Sequence, residues 1–161
     1  LRAFAVAYAR DHRLRLLIVG DGELRSDLEA QIRSLGISDA TVMSGWRDDI
    51  AELLDACDLF VLTSLNEGLG LVIVEAMTKS LPVVATSVGG VPAVVLDGET
   101  GHLVPSGDSD AIAGAITALA ADPEMRHSMG LRGHARAHEL FSIDQTVQKT
   151  ETLYQKLLKA P

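Results

Sequence analysis

Two carboxylates, Glu67 and Glu75, stand eight positions apart with Gly68-Leu69-Gly70 between them. Ahead of the pair runs Asp58-Leu59-Phe60-Val61-Leu62-Thr63, an apolar, strand-like stretch. Behind the glycines, Leu71-Val72-Ile73-Val74-Glu75-Ala76-Met77 reads as a nearly all-apolar helix that carries one acid. A helix that starts at the mouth of a strand offers free backbone N–H groups and the positive end of its dipole, which together favour a phosphate. Glycine at the turn lets a ligand come close to the backbone. An ionised Glu75 among such neighbours is costly to desolvate without a partner, and its flanking residues predict no polar face for it. The alternative is a pair with Lys79 one turn later, worth about a few tenths of a kcal/mol if exposed. Strand, glycine turn, helix and two acids together suggest a site for a phosphorylated, hydroxyl-rich ligand.

The elements that must position this site alternate along the chain. Helical patterning is expected at 2–11, 23–35, 50–56, 69–79, 110–121, near 123–138 and at 143–159, with a short helix after Gly89-Gly90 that has Pro92 in its first turn. Strands are expected at 14–19, 41–44, 58–63, 82–86 and 101–104. Gly36 is placed to end the second helix, Asp108 or Ser109 to cap the Ala-rich one, and Ser142 to cap the last. Alternation with short loops predicts an α/β fold, a parallel sheet covered by helices on both faces. Ligands of such sheets bind outside the C-terminal strand ends. The loops there are also the glycine-rich ones: Gly20–Gly22, Gly45–Arg47, Asn66–Gly70 and Ser87–Pro92.

The 161 residues fit one domain, with 47% apolar residues and 4% aromatic, so Ala, Val, Leu and Ile must build the core. A net charge of −8 argues against a general nucleic-acid or anionic-membrane surface. The single cysteine, Cys57, excludes an internal disulfide and reads as a small buried hydrophobe. No apolar run reaches the roughly 20 residues that span a bilayer, and no secretory signal opens the chain. Leu1-Arg2-Ala3-Phe4 reads as the middle of a helix without a cap, so the chain is expected to be cut from something longer.

The ordered series Asn66-Glu67-Gly68-Leu69-Gly70 to Glu75-Ala76-Met77, then Leu81-Pro82-Val83-Val84-Ala85-Thr86, Val88-Gly89-Gly90-Val91-Pro92 and Asp97-Gly98-Glu99-Thr100-Gly101-His102-Leu103-Val104, resembles the donor-binding half of the group 1 glycosyltransferases (family 4). The Glu-x7-Glu spacing is that family's signature, and Leu17-Ile18-Val19-Gly20-Asp21-Gly22 and Gly45-Trp46-Arg47-Asp48-Asp49 also look like family segments. The resemblance implies the C-terminal, Rossmann-like domain of a GT-B fold. Such a domain holds a nucleotide-sugar donor, while an N-terminal domain of the parent chain holds the acceptor. It further implies transfer with retention of configuration and without a metal or other cofactor.

By this resemblance Glu67 lies near the donor sugar as the catalytic carboxylate, bonding a hydroxyl or stabilising charge at the anomeric carbon. Glu75 takes the two ribose hydroxyls. Gly68, Leu69 and Gly70 offer backbone N–H groups to the sugar and distal phosphate, which is fixed-dipole stabilisation of a leaving group. Gly45, Trp46 and Arg47 face the nucleobase, and Gly20 lines the cleft floor. For Trp46 the competing reading is a core side chain, and for Arg47 a pair with Asp48 or Asp49. Gly89 and Gly90 shape the pocket wall. Family members carry an Arg and a Lys after the domain's first strand. That strand would precede Leu1, so it is expected to be missing, which leaves two inner strands with open edges that invite non-native association. Ala93 stands where many members have Glu, and Glu23 where many have Pro.

Other readings are weaker. Gly20-Asp21-Gly22 lacks the third glycine of a dinucleotide-binding turn. Asp108-Ser109-Asp110 has a metal-ligand spacing but precedes a helix, where capping is the simpler role. His134 and His138 share a helix face without a third ligand. A truncated, non-catalytic nucleotide-binding or interaction module remains the alternative to a transferase. A cytoplasmic location is expected, with a parent that could associate with membranes.

Overall fold

The computed structural model describes residues 1–159, so the last two positions of the expected 1–161 domain lie outside the described residues. The order is α1 (Arg2–Arg10), β1 (Leu16–Val19), α2 (Arg25–Ser34), β2 (Thr41–Gly45), α3 (Ile50–Asp55), β3 (Phe60–Leu62), α4 (Leu71–Thr78), β4 (Val83–Thr86), α5 (Val91–Val94), β5 (Gly101–Val104), α6 (Ser109–Ala121), α7 (Pro123–Phe141) and α8 (Ile143–Leu158). Every expected element is present. Boundaries move by one to three residues, as terminal turns fray.

All strand pairs are parallel. Leu16 lies opposite Thr41, Phe60 opposite Val83, and Val83 opposite Gly101. The sheet comes in two pieces, β1–β2 and β3–β4–β5. Among the described residues, neither β1 nor β3 has a strand on its other edge.

Side-chain alternation explains the layers. In β4, Val84 points to one face, where it packs with Ala3 and Ala7 of α1 and with Ile112, Ala113 and Ile116 of α6. Val83 and Ala85 point to the other face, against Ile73 and Met77 of α4, Val91 and Val94 of α5, and Ala137 of α7. Residues covered on both sides need no polar alternation, and Val83, Val84, Ala85 and Thr86 are all buried. The β1–β2 piece has a separate core in which Phe4 of α1 meets Ile32 and Ile37, with Leu16 and Ile18 partly buried against them. Helix α1 therefore joins the two pieces, one side to α6 and the other to β1.

Aspartates cap α6 and α7 through their side chains, whereas Asp49 before α3 and Ser142 before α8 make no side-chain capping bond. The Asp108 carboxylate accepts the Asp110 and Ala111 N–H groups at 3.1 and 2.9 Å, and Asp122 accepts that of Met125 at 2.9 Å. Asp108-Ser109-Asp110 is thus a helix cap. Ser142 was expected to cap the last helix, but its side chain makes no capping bond, and α8 buries none of its residues. No helix among the described residues is long and apolar enough to cross a membrane.

Candidate functional site

Because the strands run parallel within each piece, the loops after β1 and β2 open together at one edge of the first, and those after β3 and β4 at one edge of the second. The structure sorts the expected site residues there into two groups.

The first group follows β3 and β4. Glu67 is half-buried; its carboxylate accepts the Ser64 hydroxyl at 3.2 Å and the Gly68 N–H at 3.1 Å. The Gly68 N–H is therefore engaged by its neighbour's side chain. The N–H groups of Leu69 and Gly70 have no acceptor among the described residues and remain available to a ligand. Gly70 is the N-cap residue of α4; its carbonyl accepts the Ile73 N–H at 2.8 Å, while the Leu71 and Val72 N–H groups have no acceptor among the described residues. The loop is fixed from outside. The Thr86 hydroxyl, at the end of β4, donates to the Ser64 carbonyl at 2.6 Å. The Gly90 N–H donates to the Gly68 carbonyl at 2.8 Å and to that of Glu67 at 3.3 Å.

Glu75 corrects the sequence expectation. It is exposed, on a side of α4 shared with exposed Leu71, Val72 and Thr78, while Ile73, Ala76 and Met77 face the core. The helix does have an outward face, and apolar residues occupy part of it. The alternative Lys79 pair fails too: Lys79 Nζ binds Asp55 at 2.7 Å. The Glu75 carboxylate has no ion-pair or hydrogen-bond partner among the described residues.

The second group follows β1 and β2. The Gly20 N–H donates to the Gly45 carbonyl at 2.8 Å, closing the two loops on each other. Trp46 is 75% exposed, which removes the core reading for this side chain. Arg47 is held by both carboxylate oxygens of Asp49. This hydrogen-bonded pairing lowers the Asp49 carboxyl below its ordinary range and raises Arg47 above its own. Arg25 also reaches this edge and binds Asp21 at 3.2 Å and Glu29 at 3.0 Å. Neither arginine is a free cation. No hydrogen bond joins the first group to the second among the described residues.

The rim of these loops is apolar. Val19, Leu24, Trp46, Leu65, Leu69 and Leu71 all stand exposed around the loops. Such a concentration marks a surface meant to be covered. Thr86 and Ser64 carried no role in the sequence reading. The signal that could have found them is a hydroxyl at the end of an otherwise apolar strand, just before two glycines.

Cys57 is half-buried, its thiol on the Leu53 carbonyl at 3.2 Å, and burial followed by the charge of Asp58 raises its pKa. The His134 and His138 rings lie 4.4 Å apart and tilted by 58°, with His134 Nδ1 2.8 Å from the Thr78 carbonyl, and no cluster of three or more metal-type ligands exists among the described residues.

The edge thus combines a parallel α/β frame with a glycine loop whose Leu69 and Gly70 N–H groups have no acceptor among the described residues, beside the carboxylates of Glu67 and Glu75. Residues 1–136 match the family described as glycosyl transferases group 1, and the chain belongs to that family. It is 37% identical over 145 residues to the N-acetyl-alpha-D-glucosaminyl L-malate synthase of Bacillus anthracis, covering 90% of this chain and 38% of that protein. Among solved structures, it resembles the sucrose-phosphate synthase of Thermosynechococcus elongatus with a TM-score of 0.88 at 32% identity, over 99% of this chain and 42% of that one. Anabaena HepE in complex with UDP-glucose matches with a TM-score of 0.87 at 33% identity, over 95% of this chain and 44% of that one. The chain spans about two fifths of the length of these relatives. These neighbours share the fold expected of the C-terminal GT-B domain.

Proposed function

We propose that this chain is the donor domain of a retaining glycosyltransferase that moves a sugar from a nucleoside diphosphate to an acceptor, without a metal, in the context of a longer chain. The observation that carries the reading is the unpaired, outward carboxylate of Glu75 on α4, beside the unsatisfied N–H groups of Leu69 and Gly70. A diol and a phosphate on one ligand would complete both. Glu75 takes the ribose hydroxyls, and the Leu69–Gly70 backbone takes the distal phosphate and sugar. Gly68 contributes its N–H once the Glu67 carboxylate turns from it toward the sugar. The exposed indole of Trp46, with Gly45 and Arg47, meets the base, and Gly20 floors the cleft. UDP-glucose bound to HepE, a neighbour of this fold, supports a uridine nucleotide as the first probe.

The paired state of Arg25 and Arg47 adds a condition. No free cation on these two loops meets the diphosphate, so its neutralisation falls to groups elsewhere in the parent protein. An N-terminal domain facing the apolar rim would supply the acceptor and complete the cleft. The same observation favours a second reading, a nucleotide-binding module that does not transfer. In that case UDP binds and no sugar moves.

The test is Glu75→Ala in the full-length protein, titrated with UDP. Charge-assisted hydrogen bonds contribute about 1.5–3 kcal/mol, so affinity is expected to fall about tenfold or more. Wild-type affinity in the variant removes the ribose assignment. Turnover of UDP-glucose by the full-length protein separates the transferase from the binding module.

A further inference from the structure

The Glu67–Gly70 loop does not hold its own shape. Within the loop, only the Glu67 carboxylate closes back, on Ser64 and on the Gly68 N–H. Its main-chain carbonyls are instead gripped by the segment leaving β4. Thr86, buried in a strand that is otherwise Val and Ala, spends its hydroxyl on the Ser64 carbonyl at 2.6 Å. The Gly90 N–H spans the Glu67 and Gly68 carbonyls. Contact is so close that a Cβ at Gly89 would overlap the Glu67 carbonyl, and one at Gly90 the Gly68 carbonyl. Backbone, not a flexible side chain, stands in the way at both positions, so a methyl group must displace one loop or the other.

We infer that Thr86, Gly89 and Gly90 are positioning residues that set where the Glu67 carboxylate and the Leu69–Gly70 N–H groups stand. They act through the loop rather than by reaching the ligand. The inference rests on the donor-site reading above and deepens it: one end of the ligand, distal phosphate and sugar, depends on this contact, and the ribose end on Glu75 does not. Glu75 sits on α4, which Ile73 and Met77 hold in a core cluster shared with β4, α5 and α7 rather than through the loop carbonyls.

UDP and UMP distinguish the two ends, because UMP lacks the distal phosphate. Both are titrated into full-length wild-type protein and into Gly90→Ala, Thr86→Val and Thr86→Ser. Gly90→Ala is expected to weaken UDP about tenfold or more, the loss of one or more charge-assisted bonds, and to leave UMP within about twofold. Thr86→Val, nearly isosteric but unable to donate, shows the same pattern at smaller size, and Thr86→Ser restores it. Equal losses of UDP and UMP overturn the inference, because a general disturbance of the domain would not select the distal phosphate. Unchanged UDP binding in both Gly90→Ala and Thr86→Val overturns it as well, as does a Thr86→Ser that behaves like Thr86→Val. Should Gly90→Ala fail to fold, the Thr86 pair decides alone. Failure of the donor-site reading shows separately, as wild-type protein that binds neither nucleotide, and it takes the inference with it.

Discussion

The loops after β3 and β4 and the loops after β1 and β2 both follow parallel strands but are built by different means. The first pair is locked by main-chain carbonyls accepting from Thr86 and Gly90, over a strand buried on both faces. The second has fewer bonds between its loops, Gly20 N–H to the Gly45 carbonyl at 2.8 Å and the Ser44 hydroxyl to the Ile18 carbonyl at 3.2 Å, and adds ion pairs at the surface: Arg47 with Asp49, and Arg25 with Asp21 and Glu29. Exposed pairs contribute little to stability, whereas the Thr86–Ser64 bond is partly buried and costs more to break. The half assigned to phosphate and sugar is therefore preorganised, and the half assigned to the base is adjustable. That division suits the chemistry, since stabilising a leaving group requires dipoles that are already in place.

The contrast breaks most visibly at two glycines. Gly89 and Gly20 both have positive φ, +52° and +120°. A Cβ at Gly20 meets nothing within 4 Å, while at Gly89 it runs into the Glu67 backbone. Gly20→Ala is expected to cost about 1–2 kcal/mol from backbone strain alone. Gly89→Ala adds steric displacement, for a total of about 3 kcal/mol or more. Urea unfolding of the two variants measures the gap, and equal losses would show that the loops are not locked as described.

A smaller effect separates the strands themselves. Val84 in β4 is fully buried, and Val42 in β2 is 60% exposed. Val84→Ala removes two methyl groups from a core that packs against α1 and α6, an expected loss of about 2 kcal/mol. Val42→Ala is expected to stay within about 0.5 kcal/mol. Thermal melts of the pair test whether β4 carries the stability that the site loops lean on.

These differences mark what the sequence could and could not convey. The run Val83-Val84-Ala85 announces a strand covered on both faces, and the glycines after each strand announce the edge where a ligand sits. Local periodicity is enough for both. Strand pairing is not local, so the division into β1–β2 and β3–β5 had to come from the resemblance. The carbonyl contacts at Gly89 and Gly90 leave no side-chain signal at all beyond the glycines themselves. Glu75 was misjudged for a simpler reason. Its neighbours were weighed by composition, although helical spacing already places Leu71, Val72, Glu75 and Thr78 on one side and Ile73, Ala76 and Met77 on the other.

Trp46 sharpens the adjustable half. An indole that is 75% exposed contributes little to the core, so Trp46→Ala is expected to change stability by less than about 0.5 kcal/mol. If it stacks on the base, the same change weakens UDP by about 1 kcal/mol, at the low end for aromatic–base stacking. Unchanged stability with unchanged UDP affinity would remove the indole from the site and leave the base to the backbone of Gly45.

The smallest expected effect lies in the Arg47–Asp49 pair, and it depends on pH. Hydrogen bonds from Arg47 lower the folded-state pKa of Asp49 below the ordinary carboxylate value. A group so depressed contributes above its unfolded pKa and loses that contribution as pH falls through the folded one. The pair is therefore complete at neutral pH and opens only in acid, below about pH 4. Following the Asp49 carboxyl carbon by NMR should give a midpoint below the usual range in wild type and a return to that range in Arg47→Ala. Both carboxylate oxygens are engaged only while the pair is closed, so the Arg47 side chain should gain mobility over the same acidic window. A midpoint that ignores Arg47→Ala would mean that the guanidinium is not held there in solution. It would then be free to meet the ligand, and the second half of the site would carry the cation that its ion pairs otherwise deny it.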